Sequence, residues 1–423
     1  MTDLPRRLRL LTGATLPDGR VVDVLLDGDT VEAVLPAGEA APVAESLDLT
    51  GFLLLTAPAE PHAHLDKALS WDAIRPPMGD LGLAIASWRV YAATMTVDDI
   101  AGRARAQALR MLSQGTTAVR SHVDVLLGDA PTRGAEALVR VRDELRDLMD
   151  IEIVALASQD TTDADIEAVL DLGVDLVGGA PHLADDPSAD LQRLLALADR
   201  RGVGVDLHTD ESLDGPVTLR EFAHTVRDWT VNVSAGHCVR LGTMGRAERT
   251  ETIAAVKTAD IGVIANPITN LYLQGWEHDA GAPRGLTAAR DLLDAGVRFA
   301  AGADNVRDPF NPLGRGDALE TAMLLVTAGH LTIDEAYTAV ADGARSVLGL
   351  PTAGVVPGAR AELLAIRAGS LADAVATASP ERVVIHRGRV VAETSVRSRV
   401  ATPASGSTRA SSADQTPILT EIR

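Results

Sequence analysis

Pro61-His62-Ala63-His64-Leu65-Asp66 places two imidazoles two residues apart at the end of an apolar run, Gly51 to Ala57. Side chains i and i+2 of a strand point to the same face, so His62 and His64 can bind one metal ion. Because His-x-His is a short pattern, a strand end that carries two histidines by chance is the alternative. The interpretation therefore depends on whether other segments of the chain supply further ligands.

Seven later segments rich in Val, Ile, Ala or Gly also end in polar residues suited to metal binding or proton transfer. In chain order they are Thr116 to Val125, Ile151 to Asp160, Val174 to His182, Gly202 to Glu211, Val231 to Cys238, Ile261 to Asn270 and Val297 to Asn305. Amphipathic stretches separate most of them, such as the one that begins at Thr96 and stops at Gly115.

Eight strands that alternate with helices, with polar chemistry at each strand end, predict an α/β fold of the (β/α)8 TIM-barrel type. A doubly wound sheet is the structural alternative. It would concentrate its site at one switch point and favour a glycine-rich phosphate loop after the first strand. The sequence has no such loop.

The two ends of the chain predict a second, smaller unit. Residues 1–56 and 352–398 contain short apolar strands and turns, including the hairpin Arg382 to Val391. Neither end makes a core alone, so we expect them to pair as a composite β-sandwich beside a barrel of residues 57–351. Residues 399–423 are predicted to be a disordered tail, most clearly from Pro403 to Gln415.

The composition indicates where the chain works and what it binds. Its 423 residues include no run of 18 apolar residues and no apolar N-terminal signal core, so we expect a cytoplasmic protein without membrane contacts. The single cysteine, Cys238, excludes an intrachain disulfide and a cysteine-rich metal cluster. A net charge of -20 disfavours nucleic-acid binding. The expected partner is a small molecule, and a homo-oligomer stays open.

Lysine is scarce, and this bears on the number of metal ions. Some metal-dependent hydrolases bridge two metals with a carboxylated lysine at a strand end. The chain has only Lys67, which follows the His-x-His strand, and Lys257, which lies in a predicted helix. A single metal ion is therefore favoured.

Four motifs, taken together and in order, resemble the cytosine deaminase branch of the amidohydrolase superfamily. They are Pro61 to Asp66, Ser121-His122-Val123-Asp124-Val125, Asp206-Leu207-His208-Thr209-Asp210-Glu211 and Asn266-Pro267-Ile268-Thr269-Asn270-Leu271-Tyr272-Leu273-Gln274-Gly275. The resemblance covers roughly residues 8 to 398 and implies the barrel together with the flanking β-unit. The motifs are much less specific for the substrate than for the branch.

The resemblance implies one divalent metal ion, Zn(II) or Fe(II), held by His62, His64, His208 and Asp304. Nitrogen and oxygen ligands suit both metals, and the bound metal would give a hydroxide that attacks an amino-bearing ring carbon. Asp304 would also accept the water proton, and Glu211 would protonate the ring nitrogen and the leaving amine. His237 would hydrogen-bond the attacking water or the oxyanion. Taken singly, these residues could be a core histidine, a solvated carboxylate or a helix cap; their order along the chain favours a site.

Six further residues are candidate substrate contacts: Ser158, Gln159, His182, Gln274, Asn305 and His122. Cytosine deaminases carry His-Asp-Asp at the eighth strand, where this chain has Ala303-Asp304-Asn305. An ionised aspartate only accepts hydrogen bonds, whereas asparagine also donates them. The substrate should therefore differ from cytosine at that edge. Residues 304–308 are more similar to the N-substituted aminotriazine hydrolases of the same branch.

The sequence thus predicts a metal-dependent aminohydrolase of a small nitrogen heterocycle. A hydrolase of N-substituted aminotriazines or of cyclic amides or imides is the enzymatic alternative. The alternative from another class is a catalytically silent barrel that binds a metabolite. It is disfavoured because Glu211 and all four implied ligands are present.

Overall fold

The N-terminal segment folds as part of a β-sheet outside the barrel. The fold is that of a computed structural model, which describes residues 4–401 and 419–422. The first strands are β1 (Arg6–Arg7), β2 (Leu10–Thr15), β3 (Val21–Asp27), β4 (Thr30–Pro36), β5 (Ser46–Asp48) and β6 (Leu53–Thr56). Strand β6 lies in the apolar run Gly51 to Ala57, which the sequence analysis joined to His62. The structure corrects this: Ala57 and Pro58 interrupt the strand, and Pro58 has no N–H to continue a ladder.

Eight parallel strands then form the predicted barrel. They are β7 (Ala59–Ala63), β8 (Ala118–Asp124), β9 (Asp150–Ala157), β10 (Leu176–Gly179), β11 (Gly204–Thr209), β12 (Val233–His237), β13 (Gly262–Ala265) and β14 (Phe299–Ala301), paired in chain order. The backbone N–H of Asp304 donates to the carbonyl of His62 at 2.9 Å, which brings the last strand back to the first. The barrel is therefore nearly closed, and the carboxyl ends of all eight strands meet at one mouth.

Helices connect and cover the strands. They are α1 (Trp71–Ile74), α2 (Leu81–Ala92), α3 (Val97–Ser113), α4 (Arg133–Leu145), α5 (Asp163–Asp171), α6 (Pro187–Arg201), α7 (Leu219–Val226), α8 (Arg246–Thr258), α9 (Pro267–Leu273), α10 (Ala289–Asp294), α11 (Ala318–Thr327), α12 (Ile333–Val340), α13 (Asp342–Val347) and α14 (Leu371–Thr377). The hydroxyl of Thr96 accepts from the N–H of Asp99 at 3.2 Å, so it caps α3 as predicted. Within the part of the chain that the structure describes, no helix is both long and apolar enough to cross a bilayer.

The C-terminal segment completes the outer sheet with β15 (Leu363–Ile366), β16 (Arg382–His386) and β17 (Arg389–Thr394). The strand order is β1-β17-β16-β15-β6-β2-β3-β4, with β5 beside β2. Strands β6 and β15 pair antiparallel, with Leu54 opposite Ala365. Apolar side chains from both ends, such as Leu11 and Ile385, share one buried cluster. The composite β-domain is thus one continuous sheet, and the predicted fold class is confirmed.

Two short strands lie in or beside the predicted tail. Strands β18 (Ser398–Ala401) and β19 (Leu419–Ile422) pair antiparallel, and disorder of residues 399–423 stays a prediction. Both strands contain β-branched residues, which favour extended structure. Residues Pro403 to Gln415 lie outside the described part of the chain.

A buried charged network joins four barrel strands below the mouth. Arg120 on β8 is fully buried and donates to Asp206 at 2.8 Å, to Ser234 at 2.7 Å and to Glu152 at 2.5 Å. Two carboxylates and a hydroxyl thus compensate one buried cation. Removing one member of such a group leaves uncompensated charge in the core.

The substitution Arg120→Leu is therefore expected to lower the free energy of unfolding by about 3–5 kcal/mol. Chemical denaturation followed by circular dichroism measures the change. Arg140→Leu is the matched control, because Arg140 forms an exposed pair with Asp98 and should leave the midpoint nearly unchanged. Equal midpoints for both variants would show that the network does not stabilise the barrel.

Candidate metal centre and active site

Three imidazole nitrogens converge at the mouth of the barrel. His208 Nε2 lies 3.2 Å from His62 Nε2 and 3.1 Å from His64 Nε2. Burial lowers the pKa of each ring, so the neutral form, which binds metals, is favoured. One proton cannot satisfy three converging nitrogens, and a shared cation can.

Asp304 adds a carboxylate to this cluster. Its Oδ1 lies 3.7 Å from His62 Nε2 and 3.3 Å from His64 Nε2. Both oxygens are buried, and neither has a hydrogen-bond partner among the described residues. Burial and the neighbouring Glu211 carboxylate raise the pKa of Asp304. Donor atoms about 3.3 Å apart are expected around a tetrahedral ion with bonds of about 2 Å. Asp304 thus lies beside the three imidazoles predicted as ligands. The groups whose ligand atoms all lie within 4.8 Å of one another are His62, His122 and His208, and His62, His237 and Asp304.

His237 lies between two carboxylates beside this cluster. Its Nδ1 is 3.6 Å from Glu211 Oε1, and its Nε2 is 3.8 Å from Asp304 Oδ2. The side-chain amide of Asn270 contacts His237 Nδ1 at 3.1 Å and orients the ring. Burial raises the pKa of Glu211, against the opposing effect of His182. Glu211, His237 and Asp304 thus form a row of ionisable groups beside the three imidazoles.

Local backbone geometry brings these groups together. His237 is the last residue of β12, and Asp304 lies three residues after the end of β14. Both have left-handed backbone, with φ of 67° and 57°. Such conformations are uncommon outside glycine and concentrate at functional sites. Gly236 allows a further close approach, since a Cβ there would lie 2.8 Å from the His62 ring.

His122, like His62, is fully buried and lies deeper than the cavity-lining residues His64, His208 and His237. Its ring centroid is 4.2 Å from that of His62, and its Nε2 is 3.7 Å from Asp206 Oδ1. Neither ring nitrogen has a hydrogen-bond partner in the described chain. His62, His122 and His208 also form a group with ligand atoms close enough to hold a metal ion. The structure thus offers a second, deeper triad besides the predicted ligand set.

A cavity of about 420 Å³ opens above this site. Its floor is formed by His64, His208, Glu211, His237, Asp304 and Asn305. Among the predicted substrate contacts, Ser158, Gln159 and Asn305 line the cavity, whereas His122, His182 and Gln274 do not.

The residues outside the cavity support those inside it. His182 Nδ1 contacts the backbone carbonyl of His208 at 3.2 Å, and Gln274 donates to the carbonyl of Glu211 at 2.9 Å. His182 and Gln274 thus contact the backbone of His208 and of Glu211. Direct contact of either side chain with a substrate stays a prediction.

Asn305 is only partly available to a substrate. Its side-chain amide donates to Asp308 Oδ2 at 2.8 Å. Burial raises the pKa of Asp308 to about 6. An aspartate at position 305 would place a second carboxyl group against Asp308, which explains why an amide suits this position here.

The sequence analysis missed a hydrogen-bonded link beside His64. Lys67 donates to Asp124 Oδ1 at 2.6 Å and lies 3.3 Å from His64 Nδ1. The indole N–H of Trp88 donates to Asp124 Oδ2 at 2.6 Å. The link fixes α2 as a wall of the cavity. A lysine directly after the His-x-His motif, in a chain with two lysines, was the available signal.

Comparisons with known proteins agree with this geometry. The model of the amidohydrolase family matches residues 81–392. A pterin deaminase from Rhizobium rhizogenes (strain K84 / ATCC BAA-868) is 30% identical over 411 residues, which cover 90% of this chain and 93% of the relative.

Two solved structures resemble most of the molecule. The 5-methylcytosine deaminase from Klebsiella pneumoniae liganded with 5-fluorocytosine superposes with a TM-score of 0.84 at 27% identity, covering 92% of this chain and 98% of that one. The N-isopropylammelide isopropylaminohydrolase from Burkholderia multivorans ATCC 17616 gives a TM-score of 0.79 at 29% identity, with 91% and 98% covered.

Proposed function

The chain belongs to the amidohydrolase family, and from this premise we propose that it hydrolytically deaminates a small nitrogen heterocycle at an amino-bearing ring carbon. The row of Glu211, His237 and Asp304 at the cavity floor, beside three converging imidazoles, is the observation that supports this most. A ring bound above this row has a proton donor and a proton acceptor on one side.

The proposed metal site consists of His62, His64, His208 and Asp304, with one Zn(II) or Fe(II) ion. When bound, the metal supplies a Lewis acid that lowers the pKa of water toward neutrality. The unpartnered oxygens of Asp304 and the absence of cysteine from the donor set suit either metal.

Each catalytic side chain has a distinct proposed role. Asp304 accepts a proton from the attacking water as the oxygen of that water bonds to the ring carbon. His237 donates a hydrogen bond to that oxygen as negative charge develops. Glu211, whose burial favours its protonated form, protonates the ring nitrogen. Its carboxylate then takes the remaining proton of the attacking oxygen and passes it to the amine as the C–N bond breaks and the carbonyl forms, and the proton that Asp304 accepted restores the acid form of Glu211. Water is consumed, and a carbonyl product and ammonia leave.

The relatives support a heterocycle and favour two kinds of leaving group. The pterin deaminase and the 5-methylcytosine deaminase are named for the removal of an amino group. The N-isopropylammelide isopropylaminohydrolase is named for the removal of an isopropylamino group. Release of an alkylamine is therefore a second candidate function, supported by the structural match at 29% identity.

Incubation of the metal-loaded protein with aminated heterocycles tests the proposal. We expect ammonia from at least one of pterin, cytosine, 5-methylcytosine, isoguanine, creatinine and ammelide, and none after metal removal by a chelator. An alkylamine released from N-isopropylammelide would favour the second candidate. A ring-opened acid without amine would indicate a cyclic amide hydrolase. No turnover of any compound by fully loaded protein would favour a silent barrel and contradict the proposal.

A further inference from the structure

The cavity extends well beyond the catalytic floor, and much of its lining is apolar. Helix α2 contributes Leu81, Ile85, Trp88 and Ala92, which recur at helical spacing. Leu126 and other apolar side chains also line the cavity. Cavities of about 300–1,000 Å³ enclose most of a drug-sized molecule, so one aminated ring leaves the outer part of this one unfilled.

Three cationic side chains line the cavity, and two of them are paired. Lys67 donates to Asp124 at 2.6 Å, and Arg89 donates to Asp160 at 3.1 Å. Arg133 has no carboxylate within 4.0 Å among residues 4–401, although the whole chain carries a net charge of -20. The cavity lining therefore has one cation without a protein counter-charge.

The hydrogen bonding of Arg133 is also incomplete. One N–H group, at Nη2, donates to the carbonyl of Ala92 at 3.1 Å. The Nε atom is buried and has no partner in the described structure. A guanidinium has five donors in a planar fork that suits a carboxylate. Partial burial without an anion costs free energy, which a bound anion would offset.

We propose that the substrate carries a carboxylate at the end of an apolar arm, away from the reacting carbon, and that Arg133 binds this carboxylate. The inference rests on the proposed function, because it names the substrate class of the same site. One unpaired cation in apolar surroundings matches a singly charged carboxylate better than a phosphate, which brings about 1.5–2 negative charges.

A matched series of substrates tests this inference. Pterin and cytosine are each extended by a linear arm of zero to four methylenes that ends in a carboxylate, a primary amide or a phosphate. We expect kcat/KM for the carboxylate to exceed that for the amide by about 10- to 100-fold at one arm length. Arg133→Met should remove this advantage through a higher KM and leave the amide series unchanged.

Arg89→Met is the control variant. Arg89 lines the same cavity but already pairs with Asp160 near the surface, so its loss should change neither series appreciably. Equal kcat/KM for the carboxylate and the amide in the wild type would overturn the inference. A loss of both series in Arg133→Met would also overturn it, because it would show a purely structural role. A preference for the phosphate would overturn the assignment to a carboxylate.

Binding calorimetry separates this inference from the proposed reaction. If no compound is turned over but the carboxylate series binds the metal-loaded protein more tightly than the amide series, and Arg133→Met abolishes the difference, the anion site stands and the deaminase proposal fails. Turnover of the unextended rings without any preference among the arms would leave the deaminase proposal standing and overturn the anion site.

Discussion

Replacing His208 with alanine is expected to empty the metal site and abolish hydrolysis. His208 Nε2 lies 3.2 Å from His62 Nε2 and 3.1 Å from His64 Nε2, so the substitution removes the proposed ligand atom between the other two. Loss of a residue that hydrogen-bonds a metal ligand typically lowers metal affinity by about 10- to 100-fold. Loss of the ligand His208 itself should lower the affinity further. Elemental analysis after dialysis should find about one equivalent in the wild type and almost none in the variant.

Two other histidine substitutions make this result specific. His224→Ala removes an exposed imidazole on α7 and should keep the metal. His122→Ala should also keep it, because His122 is not one of the four proposed ligands. Metal loss in His122→Ala with retention in Asp304→Ala would assign the ion to the deeper triad. Full metal content in His208→Ala would contradict the proposed ligand set.

The barrel could be predicted because its signal is local and repeated. Each apolar segment ends in polar residues, and this alternation requires no knowledge of distant contacts. The boundary between the two units was harder, because only two residues separate the apolar strand β6 from the buried strand β7. Only the pairing of Leu54 with Ala365, more than three hundred residues later, shows that β6 belongs to the outer sheet.

The site residues also differ in whether the local sequence or only the fold reveals their contacts. The proposed ligands lie in short motifs at strand ends, where the fold fixes their direction. His182 and Gln274 lie beyond strand ends, where one turn decides whether a side chain faces the cavity or the backbone. The link from Lys67 through Asp124 to Trp88 joins segments that are far apart in sequence. Its partners could not be paired before the fold was known.

Replacing Glu211 with glutamine is expected to reduce kcat for ammonia release by about 10²- to 10⁴-fold, the usual contribution of a general acid or base. Glutamine keeps the size and a hydrogen-bonding side chain but cannot transfer the proton. Glu211 lies beside His237 rather than in the proposed ligand set, so metal content should stay at the wild-type level. Steady-state kinetics on the best substrate, with elemental analysis of the same sample, measures both.

The split between kcat and metal content distinguishes proton transfer from a structural role. If Glu211 only maintained the shape of the mouth, the variant would lose metal or melt at a lower temperature along with its activity. Glu277→Gln is the matched control, since Glu277 is exposed on the loop after α9 and should leave kcat unchanged. Unaltered kcat in Glu211→Gln would exclude it as the proton donor. His182, whose Nε2 lies 4.0 Å from Glu211, and His237 would then be the remaining proton-exchanging neighbours along that side of the site.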